Sequence, residues 1–294
     1  MLEITTKIKV DYMERVKNYL LLLRLSHWSK AIFVMLGFFY SPATGYLSSA
    51  LIASLSFCLI SSAVYIYNDI EDRSEDSLHP HKRLRPLASD NVTVTEAIVL
   101  LFVLLLSGLT LGWFVSKQLA VILSLYLLVN VAYNHVLKLL PIFDVAAIAT
   151  GFMLRVLAGT WGIGLPISGW LIIAATLLSL FIALNKRKLE MHLGLKNSTR
   201  SVLKKYDPLL LNRLIMGIGI ICFITYFFYT IFARDESFYF ILTLPFAAFA
   251  LWRFSWLSAQ EVNNDDPVNV FVSDRLSRIN LYCFAILTFL ALTQ

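Results

Sequence analysis

Long apolar runs separated by short polar interruptions set the pattern of this chain. Stretches long enough to cross a hydrocarbon core of about 30 Å lie at roughly 18–40, 46–70, 93–115, 118–137, 142–162, 167–188, 209–233, 237–257 and 275–293. Runs of this length predict membrane-spanning helices rather than strands or buried core helices. The expectation is an all-α, polytopic membrane protein, a bundle of about nine transmembrane helices forming a single domain over residues 1–294.

Composition agrees: 58% of residues are hydrophobic, 15% are charged and the mean hydropathy is +0.72, far from soluble domains. Charge placement tests the helix count independently, because cytoplasmic loops hold the excess of Lys and Arg. With the N-terminus cytoplasmic, the inner segments carry 22 of the 25 basic residues; Lys117, Arg155 and Arg234 are the others. The net charge of +6 then belongs to one membrane face. There it favours anionic headgroups and anionic soluble substrates rather than nucleic acid.

Residues 1–17, with Lys7, Lys9, Arg15 and Lys17 among Ile8, Val10, Tyr12 and Met13, read either as an amphipathic surface helix or, more simply, as a basic topology anchor. No cleavable signal pattern is expected, because a charged stretch precedes the first apolar run and Arg24 and Lys30 punctuate it. Cys58, Cys222 and Cys283 lack paired spacing, which argues against a disulfide or a zinc site. Walker-type loops, dinucleotide fingerprints and a local Ser-His-Asp arrangement are also missing from the sequence. Phosphate chemistry would have to come from charged side chains and a metal.

The polar run 68–86 supplies both. Asn68, Asp69, Asp72 and Asp76 form the pattern NDxxDxxxD directly after an apolar span. If the helix continues, Asp69, Asp72 and Asp76 share one narrow face. Stacked carboxylates repel unless a cation sits among them, and hard oxygen ligands suit Mg²⁺, which stabilises a departing diphosphate. An acidic run that merely ends a span is the bland alternative. Its neighbours favour the chemical reading: His79, Lys82, Arg83 and Arg85 follow in one loop bracketed by Pro80 and Pro86, and guanidinium forks match phosphate oxygens.

A second constellation, Tyr133, Asn134, Lys138 and Asp144, lies between the fourth and fifth spans, with Gly151, Arg155 and Gly159 beyond it. An intramembrane Arg155 is costly and therefore either a functional group or a buried structural ion. The two glycines read best as close helix-packing positions. A third group, Asn185, Lys186, Arg187, Lys188 and Glu190, ends the sixth span and doubles as a topology anchor.

Together these features resemble the UbiA superfamily of intramembrane prenyltransferases over nearly the whole chain. Aromatic prenyltransferases of that superfamily usually carry a second Asp-x-x-x-Asp, which this chain lacks. The run from Tyr133 to Lys138, Asp144-Val145 and Gly151 to Gly159 instead resembles the branch typified by decaprenyl-phosphate 5-phosphoribosyltransferase. Trp28-x-Lys30, Lys186-Arg187-x-x-Glu190, Asp266-Pro267 and Asp274-Arg275 support that likeness. Asp90 departs from it, standing where a Gly often follows the Pro-x-x-Ser run.

The resemblance implies Mg²⁺-dependent transfer of 5-phosphoribose from phosphoribosyl diphosphate to a polyprenyl phosphate, on the cytoplasmic side of a bacterial inner membrane. It implies a metal site of Asn68, Asp69, Asp72 and Asp76, with Asp69, Asp72, Lys138 and Asp144 as catalytic residues. Substrate contacts would come from Lys30, Tyr67, Asn68, Lys82, Arg83, Arg85, Tyr133, Arg155, Lys186 and Arg187. A homo-oligomer stays open on the sequence. So do two alternatives: transfer of a prenyl group to an aromatic or other small acceptor, and a non-enzymatic transporter or lipid-binding protein. Against the transporter, no broken-helix pairs recur in matching positions of two halves.

Overall fold

The computed structural model describes residues 2–39, 44–79, 82–192, 201–232, 238–260 and 267–293. All regular elements among them are helical. In chain order they are α1 (Leu2–Leu23), α2 (Ile32–Phe39), α3 (Leu47–Glu71), α4 (Arg73–Leu78), α5 (Val94–Val115), α6 (Lys117–His135) and α7 (Phe143–Ala158), then α8 (Gly169–His192), α9 (Pro208–Phe232), α10 (Phe238–Leu242), α11 (Leu244–Leu257), α12 (Pro267–Ser273) and α13 (Arg275–Thr293). The all-α expectation holds. Side chains 1–12, Pro80 and Asp266 lie outside the described residues, and with them most of the surface-segment expectation for residues 1–17.

Eight of the described segments are long and apolar enough to cross a membrane, from Met13–Phe39 to Tyr239–Leu257. The ninth expected span coincides with α13, which is helical but is not one of the eight. The first span differs more. Instead of one helix over 18–40, α1 stops at Leu23, Arg24 adopts a left-handed backbone at φ 50°, and a 3-10 turn at Leu25–Ala31 leads into α2. The eighth span also breaks, at Thr243, where Pro245 in the first turn of α11 has no N–H to continue a helix.

The helices form two compact units, residues 1–130 with 154–166, and residues 131–153 with 167–294. In the first unit α3 is the central helix, two-thirds buried along its apolar window. Small residues on its faces (Ala50, Ala53, Ser56, Ser61, Ser62, Ala63) are buried and let neighbours approach closely. A Cβ on Gly108 of α5 would stand 2.8 Å from Ile60 of α3. A Cβ on Gly159 would meet the Val34 carbonyl oxygen at 1.7 Å, and one on Gly37 the Gly159 oxygen at 2.5 Å. The packing expectation for Gly159 is therefore met in full. Leu22, Ile66, Leu87, Val92, Ala97 and Leu104 seal the end of this unit that carries the polar run.

In the second unit α8 packs against α9, with Phe181 beneath Gly219. Its core joins Val145, Phe181, Leu184, Tyr206, Phe254 and Phe271.

Candidate active site

The apolar face of α3 runs directly into the polar run, and this placement buries charge. α3 ends at Glu71 and α4 begins at Arg73, with a bend at Asp72. The Asp72 N–H still reaches the Asn68 carbonyl at 2.9 Å and the Asp76 N–H the Asp72 carbonyl at 2.8 Å, so helical register is nearly kept through the bend. Asp69 and Asp76 consequently turn inward together, 4% and 2% exposed, while Asp72 is half-buried at the bend and Glu71 and Glu75 face out.

Three cations meet the two buried carboxylates. Arg85 Nη1 donates to Asp69 Oδ1 at 3.0 Å and to Asp76 Oδ2 at 2.5 Å, bridging them. Lys82 Nζ lies 3.4 Å from Asp76 Oδ1. Arg24 Nη2, delivered by the left-handed break after α1, donates to Asp69 Oδ1 at 2.5 Å. The guanidinium of Arg24 also lies 4.9 Å over the Tyr65 ring, whose hydroxyl accepts from Lys30 Nζ at 3.3 Å. Arg83 is exposed and Tyr67 half-buried.

The donor set fits a magnesium ion. Bridging of two carboxylates by one guanidinium marks a position where these oxygens already share a positive charge. Asn68 Oδ1 is buried without a hydrogen-bond partner among the described residues, a costly state for a polar oxygen and a natural one for an ion ligand. Both arginines donate to the same oxygen of Asp69, which leaves Oδ2 for another partner. The described His, Cys, Asp and Glu residues alone form no ready-made group of three, so the set requires the Asn68 amide oxygen.

A second charged cluster is built in the other unit. Asp144, in the first turn of α7, is 1% exposed. Arg187 of α8 brings Nε to 2.9 Å from Asp144 Oδ2, off the line of a regular hydrogen bond, and its Nη1 holds Glu190 one turn on. Tyr206 donates its hydroxyl to Asp144 Oδ1 at 2.5 Å and accepts the Ile142 N–H at 2.8 Å. Burial, reinforced by the Asp144 carboxylate, pushes the Tyr206 phenol far above its ordinary value, so it remains a donor. Ile142 has φ 71°, a strained conformation for a β-branched residue, and the Tyr206 bond holds it there. Lys138 Nζ lies 3.2 Å from Asn134 Oδ1. Tyr133 and Lys186 are half-buried. Arg187, expected as a phosphate contact, is instead fully buried, its guanidinium committed to two carboxylates.

Arg155 is 5% exposed and sits between the rings of Phe57 and Tyr126, 4.9 Å from each centroid, with Nη2 donating to the Tyr126 hydroxyl at 3.0 Å. Of its two sequence readings, this environment matches the buried ion. A further ion pair closes the end of α13: Asp274 accepts from Arg253 at 2.9 and 3.1 Å and caps the helix through the Ser277 N–H at 2.9 Å. These bonds, above all the one from Arg253, bring the Asp274 carboxyl down to about 2.

Comparison with known proteins now has geometry to attach to. The UbiA prenyltransferase family matches residues 31–274. This chain belongs to the UbiA prenyltransferase family. It is 28% identical over 244 residues to a decaprenyl-phosphate phosphoribosyltransferase from Mycolicibacterium smegmatis, covering 78% of this chain and 75% of the relative. A protein of the same name from Corynebacterium glutamicum is 33% identical over 161 residues, 53% of this chain and 48% of the relative. The chain thus spans three-quarters of one such relative and about half of the other. A solved UbiA homolog from Archaeoglobus fulgidus bound to GPP and Mg²⁺ superposes with TM-score 0.72 at 17% identity, covering 94% of this chain and all of that one. That likeness establishes the fold.

Membership in the UbiA family gives meaning to the departure at position 90. Asp90 has φ 58°, the left-handed region that Gly occupies freely and Asp tolerates. Here the substitute is used: the Asp90 carboxylate pairs with Arg73, whose Nε also reaches the Leu87 carbonyl at 3.1 Å. Two site neighbours in this UbiA protein escaped the sequence reading. Arg24 looked like punctuation in an apolar run, and Tyr206 lies 62 residues from its partner. A polar residue interrupting a span was the signal for the first; the second had none.

Proposed function

We propose that this chain is a polyprenyl-phosphate phosphoribosyltransferase. The observation that carries the reading is the pair of buried carboxylates, Asp69 and Asp76, held by cations at the end of a membrane helix. Relatives named decaprenyl-phosphate phosphoribosyltransferase support the choice of donor and acceptor. Residues 1–294 would act as one catalytic domain in a bacterial inner membrane, with the N-terminus and the polar loops cytoplasmic.

In this mechanism Asn68, Asp69, Asp72 and Asp76 hold the metal. When bound, Mg²⁺ supplies charge neutralisation to the diphosphate leaving group. Lys82, Arg83 and Arg85 grip phosphate oxygens, for which their forks and point charge are suited. Lys138, Tyr133 and Lys186 orient the donor, with Asp144 fixed by Arg187 and Tyr206. Lys30 and Tyr67 make further substrate contacts, while Arg155 stays a buried ion behind them. A phosphate oxygen of the polyprenyl phosphate attacks ribose C1. The C1–O bond to diphosphate breaks, and diphosphate departs with the electron pair. Because the acceptor is already an anion, no general base is needed, and positioning with charge stabilisation carries the rate.

The test is transfer by purified protein with Mg²⁺ and polyprenyl phosphate, comparing labelled phosphoribosyl diphosphate with labelled prenyl diphosphate plus an aromatic acceptor. Metal-dependent label from the ribosyl donor in the lipid, abolished by Asp72→Ala, is expected. Transfer only from the prenyl donor would make the chain an ordinary prenyltransferase; no metal-dependent transfer from either would favour a transporter.

A further inference from the structure

Two buried carboxylates face three cations at the first site. Asp69 and Asp76 contribute two negative charges, and Arg24, Lys82 and Arg85 contribute three positive ones, all within 3.4 Å of a carboxylate oxygen. Among these five groups no net negative charge remains for a free divalent ion to meet. An ion arriving as the chelate of a diphosphate is different, because its ligand brings the missing negative charge and gives Lys82 and Arg85 new partners.

Arg24 is unlike the other two cations. Lys82 and Arg85 belong to the loop that follows α4, but Arg24 is locked in place by its own backbone. The Trp28 indole N–H donates to Ser62 Oγ at 3.0 Å, and the Ser62 hydroxyl donates to the Leu23 carbonyl at 2.7 Å. This relay fixes the left-handed turn at Arg24, a conformation that persists only where its surroundings over-determine it. The turn presents the guanidinium to Asp69 Oδ1, stacked on Tyr65.

We propose that Arg24 is the resident counter-cation of Asp69: it keeps the first motif neutralised, so that the divalent ion is taken up together with a diphosphate rather than alone. Arg24 is thereby a positioning residue, acting through Asp69. The inference rests on the metal–diphosphate part of the functional reading but not on the identity of the donor sugar.

The experiment is Mn²⁺ binding, followed by the loss of the free-ion electron paramagnetic resonance signal, on the purified full chain in lipid nanodiscs with and without inorganic diphosphate. Wild-type protein should bind Mn²⁺ weakly alone and much more tightly with diphosphate. Removing one positive charge beside a divalent ion changes its affinity by about tenfold even at the dielectric of water. Arg24→Gln should therefore bind Mn²⁺ alone about tenfold more tightly, and the enhancement by diphosphate should shrink. Arg24→Lys, which retains the charge, should stay near wild type. If Arg24→Gln does not fold, Trp28→Phe removes the indole donor of the relay while keeping a ring, and should shift Mn²⁺ affinity in the same direction by less. Affinity for Mn²⁺ alone that is unchanged or weaker in the charge-removing variant overturns the proposal. So does wild-type binding that is indifferent to diphosphate. Because the titration contains neither ribosyl nor prenyl donor, a failed transfer assay beside the expected Mn²⁺ shift would remove the phosphoribosyl reading and leave the counter-cation role standing.

Discussion

Replacing Tyr206 with Phe isolates one hydroxyl at the second charged cluster. The ring is kept, and with it its place beside Val145, Val202 and their neighbours in a buried core. The hydroxyl serves two partners, donating to Asp144 Oδ1 at 2.5 Å and accepting from the Ile142 N–H at 2.8 Å. A bond to a charged group contributes about 1.5–3 kcal/mol and a neutral one about 1 kcal/mol, so Tyr206→Phe should destabilise by about 2–4 kcal/mol. Unfolding in mixed micelles, titrated with denaturing detergent, measures this. A double-mutant cycle with Asp144→Asn separates the two bonds, and coupling of about 1.5–3 kcal/mol is expected between the residues. The sign with pH follows from the raised phenol: the stabilisation is complete below the unfolded tyrosine value, about 10, and is lost as pH rises beyond it toward the folded value. Tyr206→Phe should abolish the Tyr206 part of that alkaline slope. Coupling below about 0.5 kcal/mol, the limit within which independent sites add, would refute the claim that Tyr206 fixes Asp144.

Gly159→Ala places a methyl group 1.7 Å from the Val34 carbonyl, so it should cost at least about 3 kcal/mol, read as loss of folded protein in the same detergent titration. Asp90→Val forces a β-branched residue to φ 58° and removes the partner of Arg73; it should lower stability by about 1–2 kcal/mol, whereas Asp90→Gly should lose only the exposed ion pair, under about 1 kcal/mol. The Asp274 carboxyl, held near 2, stabilises the fold above its unfolded value of about 3.9 and ceases to do so as pH falls through the folded value. Arg253→Ala should reduce the dependence of stability on pH between those limits, measured by acid titration of unfolding.

How far the sequence could be read depends on the distance over which each feature is decided. The spans were legible because hydropathy is local, and Asp69 and Asp76 were legible as a pair because a seven-residue separation on a helix is local too. The bend at Asp72 changed little, since the backbone bonds from Asp72 to Asn68 and from Asp76 to Asp72 preserve the register. The break at Arg24 was hidden. Nothing in Leu23-Arg24-Leu25 demands a left-handed turn; Ser62 and Asp69, on another helix, demand it. Arg187 is a similar case, because Lys186-Arg187-Lys188 reads as one basic patch until Asp144, 43 positions earlier, is seen to claim the middle residue. The functional assignment came from motif order, which is local, and its electrostatics from pairings that are not.

Arg24 also bears on how the protein reaches the membrane. The 27-residue segment Met13–Phe39 leaves the ribosome before α3 exists, with an arginine near its middle and no Asp69 to receive it. Until Asp69 is made Arg24 is an uncompensated charge within this segment, and the apolar character of the segment is modest, with a hydropathy of 1.3 against 1.9 for Leu47–Glu71. Stable integration of the first segment should therefore wait for the second, the two entering the bilayer as a pair during synthesis. A truncated chain ending before Asp69 would then be expected to slip back out of the translocon, making the ion pair a checkpoint in biogenesis.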